Sequence, residues 1–198
     1  MPTPTKGSGS EVRRRGFRVY LRPPRRADAA AFIAAVRASE RFHRRWVHPP
    51  ATPARFSSYL TRFARAARDP LAASHVGFVV CRCDDDALVG VYNFSEIVRS
   101  AFQSAYLGYY AFAPHAGAGL MAEGLALALD AAFGSLKLHR VEVNVQPSNT
   151  RSLALVRAAG FRKEGYSRRY VKIGGRWCDH VRLALLAEDW HVIRRTPP

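Results

Sequence analysis

The sequence predicts a single α/β domain built around a mixed sheet, and three observations lead there. The chain has 198 residues, enough for one domain with a substantial core and too few for two. Its apolar pattern switches repeatedly between period 2 and the helical period. A strand also runs through a glycine-bearing loop, Gly117-Ala-Gly119, straight into a long helix. Hydrophobic residues make up 48% and charged residues 23%, which argues against collagen-like and wholesale disordered chains. No apolar run reaches membrane-spanning length.

Residues 1–16 mix Pro, Thr, Gly and Ser with an arginine run and are expected to form a mobile basic tail. They lack the apolar stretch of a secretory signal, so a cytoplasmic location is expected. The folded domain is expected over 17–190, with a C-terminal tail over 191–198. Phe17 to Leu21 alternates as a half-buried strand does, and Pro23-Pro24 ends it. Asp28 stands at an N-cap position ahead of Phe32, Ile33 and Val36 at helical spacing. Thr52-Pro53 opens a second amphipathic helix carrying Phe56, Tyr59, Leu60 and Phe63.

From His75 the pattern turns to period 2 with β-branched and aromatic residues. His75 to Arg82, Ala87 to Ser95 and Ser104 to Phe112 read as three successive strands. A helix over Gly117 to Phe133 follows, stopped by Gly134. His139 to Val145 is a strand, Pro147-Ser148-Asn149 starts a helix that runs to Ala159, and a hairpin turns at Gly174-Gly175.

The formal charge is +16, with Arg outnumbering Lys by 27 to 4. Residues 1–70 carry 16 basic and 4 acidic side chains, so most of the excess lies in the first third. Such a face is either simply solvated or a working electrostatic surface for an acidic partner. Cys81, Cys83 and Cys178 lack the spacing of a zinc site and are expected as reduced thiols; no metal site is expected.

Two segments suggest a ligand site. Around Gly117 and Gly119, backbone N–H groups converge at a helix N-terminus, an arrangement suited to phosphate and equally to an ordinary turn. Asn149 and Ser152, three apart at the next helix entrance, either cap it and face solvent or line a polar groove with the first loop.

These segments, with Asn93-Phe-Ser95, Tyr106-Leu-Gly-Tyr109, Leu120-Met-Ala-Glu123, Gly160-Phe161, Glu164-Gly-Tyr166 and Gly175-Arg-Trp-x-Asp-His180, resemble the Gcn5-related N-acetyltransferase (GNAT) superfamily. The RimJ/RimL type, which acetylates ribosomal-protein alanine N-termini, is the nearer branch. The resemblance spans roughly Phe17 to Trp190 and implies a splayed mixed sheet flanked by helices. It also implies acetyl-CoA as co-substrate, lying between the fourth and fifth expected strands.

Carried over by position, the backbone of Ala116, Gly117, Ala118, Gly119 and Leu120 would bind the pyrophosphate. Ala111, Phe112 and Ala113 would offer amides to the pantetheine and thioester, and Asn149 would hold the pantetheine arm. Ser152 would protonate the departing thiolate. Pro114 stands where the superfamily often has Gln or Arg. The family bases and acid fall at Asn144, Val171 and Val156, so none transfers, and Glu96 is named as a water-linked base, with Glu142 as a second carboxylate. Phe42, Trp46 and Tyr59 either shape the acceptor cleft or pack in the core, and one of Asp179 and His180 is a candidate to line that cleft, since adjacent strand residues face opposite sides.

The expected acceptor is a protein N-terminus, a ribosomal protein at family level, with salt-sensitive electrostatic approach to the ribosome. No membrane association is expected, and the enzyme is read as a monomer or homodimer. The alternatives are a small-molecule amine acetyltransferase and a non-catalytic CoA-binding module associated with nucleic acid or the ribosome.

Overall fold

The computed structural model describes residues 14–195. The basic tail expected over 1–16 therefore lies outside the description as far as residue 13. Its last part departs from expectation, because Arg14–Arg15 forms a short strand, β1, against β2 (Val19–Arg22). The expected strand start at Phe17 shifts accordingly: Phe17 is 92% exposed, and all four residues of β2 are buried.

After β2 a 3-10 turn (Arg26–Asp28) leads into α1 (Ala29–Ala38), the short α2 (Glu40–His43) and α3 (Pro53–Phe63). Three antiparallel strands follow, β3 (Val76–Arg82), β4 (Leu88–Val98) and β5 (Ser104–Ala111). Then come α4 (Leu120–Asp130), β6 (Arg140–Val145), α5 (Thr150–Ala158), the hairpin β7 (Arg162–Ile173) and β8 (Arg176–Leu186), and α6 (Ala187–Arg195). The C-terminal tail expected from 191 is thus helical as far as Arg195. Trp190 anchors it, buried and donating its indole N–H to Asp130 at 3.0 Å.

The eight strands form one sheet in the order β1-β2-β3-β4-β5-β6-β8-β7. All neighbours are antiparallel except β5 and β6, which pair in parallel only from Ser104–Tyr106 to Arg140–Glu142. Two apolar faces result. Tyr92, Phe94 and Leu107 meet α4 and α5 on one side, through Leu125, Leu129, Leu153 and Val156. Val79, Cys81 and Val91 meet α1 and α3 on the other, through Phe32, Phe56, Tyr59 and Phe63.

Two local expectations change. Asp28 makes no cap bond to α1; its carboxylate accepts both Arg22 guanidinium nitrogens at 2.8 and 2.7 Å and the Arg25 amide at 2.8 Å. A buried arginine on β2 leaves an N-cap aspartate little choice, because an unpaired charge there is costly. Gly134 does not end the helix after α4; it lies inside a wide π turn, Ala131–Ser135, that brings Leu136 and Leu138 into the core. Thr52 caps α3 as expected, accepting from the Arg55 amide at 3.3 Å.

Removing one partner of the buried Arg22–Asp28 pair strands the other. Asp28→Ala is expected to cost about 3 kcal/mol, read as a lower urea midpoint. Changing both residues to apolar ones of similar volume is expected to recover most of it.

Candidate active site

The site begins where β6 parts from β5. The Phe112 amide donates to Val89 O at 2.7 Å, which sets the phase of the ladder. Even-numbered residues of β5 turn their backbone groups to β4, and Leu107, Tyr109 and Ala111 turn theirs toward β6. Beyond Tyr106–Glu142 the two strands no longer pair, so this edge of β5 faces an open V. A Cβ built on the exposed Gly108 would meet nothing within 4 Å, so the floor of the V is open on the α1–α3 side.

The phase also corrects two expected contacts. Of Ala111, Phe112 and Ala113, only Ala111 turns its amide into the V. Phe112 is committed to Val89, and the Ala113 amide donates to Ser39 Oγ at 2.8 Å. The Ala111 carbonyl is held as well, 2.7 Å from His43 Nε2. A carbonyl only accepts, so Nε2 carries the proton, and the buried Nδ1 has no partner among the described residues.

At the end of β5 a 3-10 turn, Ala113–His115, leads to the glycine loop. The Ala116 amide, expected at the ligand, is taken by Ala113 O at 3.1 Å. The amides of Gly117, Ala118, Gly119, Leu120 and Met121 have no acceptor among the described residues. Gly117 and Gly119 both sit at positive φ, +83° and +75°, where other residues are strained, and α4 begins with no side-chain cap. Five unspent donors at a helix N-terminus form an anion cradle.

Behind the cradle stands Arg18, which sequence reasoning missed. Its Nη1 donates to Ala118 O at 3.1 Å, and its Nε to Glu123 Oε2 at 3.2 Å. In a trans peptide the C=O and N–H point in opposite directions, so holding Ala118 O from behind aims the Gly119 amide into the cradle. Glu123 also accepts the Arg18 and Val19 amides at 2.7 and 3.2 Å. Burial alone would raise its carboxyl, but these donors and the guanidinium hold it below the ordinary range. No local pattern signals this partnership, since 105 residues separate the two.

Asn149 caps α5, its Oδ1 accepting the Ser152 amide at 3.2 Å, which leaves the carboxamide nitrogen for other use. Ser152 does not face solvent: its Oγ lies 2.5 Å from Tyr109 Oη. Burial pushes the Tyr109 phenol up to about 12, so it stays protonated through the neutral range. Tyr109 is a second residue the sequence reading did not assign. The visible signal was its place in Tyr106-Leu-Gly-Tyr109, one strand position beyond Gly108 and on the opposite face.

On the open face lie Tyr106, Gly108 and Tyr110 of β5 with Glu142 and Asn144 of β6. Tyr110 Oη and Asn144 Oδ1 are buried without partners among the described residues, as polar atoms are that a ligand or water completes. The loop between α2 and α3 crosses this end: Arg45 O accepts from Gln146 Nε2 at 3.0 Å, and a Cβ built on Gly174 at the hairpin tip would lie 3.2 Å from His48 Nε2.

Glu96 sits in a bulge near the closed end of the V, its side chain 70% exposed and 3.8 Å from His75 Nε2, away from the open strand edge. Glu142 lies where the strands still pair and is held by Arg140 Nε at 2.9 Å. Tyr59 packs in the core and donates to Asn93 Oδ1, while Phe42 and Trp46 are half-buried. Asp179 is engaged by Tyr166 Oη and the Arg169 amide at 2.6 and 2.7 Å. His180 is buried beside Tyr170.

A strand edge opened by a splayed neighbour, followed by a glycine loop on a helix N-terminus, defines a class, and the family comparison agrees. A family model described as an acetyltransferase (GNAT) domain matches residues 18–162, and the chain belongs to that family. Among individual proteins, it is 30% identical to Mycobacterium smegmatis RimJ, solved in complex with CoA-disulfide, with a TM-score of 0.79 over 89% of this chain and 88% of that one. Curated relatives include the probable N-acetyltransferase YjcK of Bacillus subtilis (strain 168), 44% identical over 57% of this chain and 62% of its own length. The [ribosomal protein uS5]-alanine N-acetyltransferase of Escherichia coli (strain K12) is 42% identical over 54% of this chain and 55% of its own length. The chain thus spans about three-fifths or less of these curated relatives.

Burial pushes both His43 and His180 below the ordinary histidine value of 6.5, against the pull of the carbonyls they touch. The unfolded chain then binds more protons just below 6.5. Stability from the neutral rings is full above that value and falls as pH drops toward the depressed folded values. The melting temperature is expected to decline between pH 7 and 5, and a variant carrying His43→Gln and His180→Gln is expected to show a shallower slope.

Proposed function

We propose that the protein is an acetyl-CoA-dependent N-acetyltransferase acting on the N-terminal α-amine of a protein, with a ribosomal protein as acceptor. The observation that carries this reading is the open edge of β5, with a hydroxyl pair on one face and an open polar floor on the other. The family membership and the likeness to the RimJ structure and to the uS5-alanine enzyme support it.

In this reading the amides of Gly117 to Met121 hold the pyrophosphate of the co-substrate. The carboxamide nitrogen of Asn149 and the backbone of Tyr109 and Ala111 hold its pantetheine arm, and the acetyl thioester supplies the acyl group. The acceptor enters above Gly108, where Tyr110 Oη and Asn144 Oδ1 complete their bonding with its amine. An α-amine has a pKa of about 8, so a useful share is already neutral and Asn144 need only orient it, with water taking the proton. Ser152 Oγ gives its proton to the departing thiolate while Tyr109 Oη passes its own to the serine, and water returns a proton to the phenol to match the one the amine released. Glu96 has no part in this scheme. A floor whose one carboxylate, Glu142, is already paired with Arg140 disfavours a polyamine, which needs carboxylates.

Mass spectrometry of peptides beginning with Ala, Ser, Thr or Met tests the reading. Acetylation is expected at the α-amine only, and Ser152→Ala is expected to slow turnover about 10- to 100-fold. No acetylated peptide alongside intact CoA binding rejects it.

Arg18→Ala is expected to raise KM for acetyl-CoA about tenfold, the scale of one lost charge-assisted bond. With S-acetylpantetheine, which lacks the pyrophosphate, its effect should vanish. An equal loss with both donors would show Arg18 to be merely structural.

A further inference from the structure

We propose that the hollow between α1, α2 and the loop before α3 receives a side-chain carboxylate, aspartate or glutamate, from the first few residues of the acceptor peptide. The proposal rests on the N-terminal acetyltransferase reading and adds a specificity determinant to it.

The hollow has a volume of about 360 Å³. Arg37 reaches it from the last turn of α1, Arg44 from the end of α2 and Arg55 from the first turn of α3. Arg37 Nε gives one hydrogen bond to Ala51 O at 3.3 Å. Among the described residues, none of the three guanidinium groups has a carboxylate partner, although most other carboxylates of the chain are engaged by arginines or amides. Glu40, the one acidic residue in the lining, is outnumbered. Three guanidinium groups against one carboxylate around one concavity favour an anion there, and their planar forks suit a carboxylate.

The hollow also adjoins the acceptor face. His43 belongs to its wall and is anchored on Ala111 O at the V, with its ring 5.3 Å from that of Tyr110. His48, another wall residue, reaches the hairpin tip at Gly174. An extended chain advances roughly 3.3–3.6 Å per residue, and Ala111, which His43 grips, lies three residues along β5 from Gly108, so a peptide whose amine lies over Gly108 and which runs toward Ala111 meets this wall within its next two to four residues.

The test uses peptide pairs beginning with Ala that are identical except for Glu or Gln at each of positions 2 to 5. Binding is read by fluorescence anisotropy in the presence of CoA, and turnover by mass spectrometry. Glu at one position is expected to improve both about tenfold, and the preference is expected to disappear in the Arg44→Gln, Arg55→Gln double variant while CoA affinity is unchanged. Equal behaviour of Glu and Gln peptides overturns the proposal, as does a preference that survives the double variant or is the same at every position. Should no peptide be acetylated, the binding arm still decides: a positional Glu preference lost in the variant upholds the hollow and rejects only the N-terminal transferase reading.

Discussion

Everything in the site depends on a pairing that stops early. β5 and β6 share three residue pairs and then separate, β5 staying with β4 and β6 with β8. Because backbone donors and acceptors alternate along an antiparallel strand, β4 satisfies only every other residue of β5. The rest face a gap where a strand would lie. Such an edge is ordinarily a liability, and here it lies inside the sheet, between β5 and the diverging β6, rather than at its rim. The glycine loop follows one residue after the turn that ends this edge, so anion cradle and strand edge lie end to end.

Much of this was legible in the sequence because it is written in local chemistry. Period 2 in the strands, Thr52-Pro53 ahead of α3 and the paired glycines at Gly174-Gly175 each act within a few residues. The mixed sheet and the glycine loop could be read for the same reason, and the resemblance carried by Gly117 to Glu123 and Asn149 to Ser152 added the splay. What escaped was set by contacts distant in sequence. Asp28 has the residue type and position of a helix cap, and only the burial of Arg22 on β2 redirects it. Ser39 shows nothing locally of its bond to Ala113, and Arg18 nothing of its place behind Ala118. Glu96 lies near the closed end of the V, and counting along β4 could not say which end of the strand that would be.

Arg18 also bears on an apparent deficit. Pro114 removes a side chain that the resembling family often keeps at the start of the phosphate loop. The structure brings a cation to the same loop from the bend just before β2, on the carbonyl side. There it orients a peptide group and neutralises Glu123, an acidic residue in the first turn of α4 whose charge would otherwise repel an anion at that helix end.

Ser39 and His43 stand one helical turn apart and grip the two sides of the same short stretch of chain, the Ala113 amide and the Ala111 carbonyl. Helix α2, with Ser39 at its N-cap, therefore fixes both sides of the chain where β5 ends. Four residues of helix thus join that strand end to the wall of the neighbouring hollow through two hydrogen bonds.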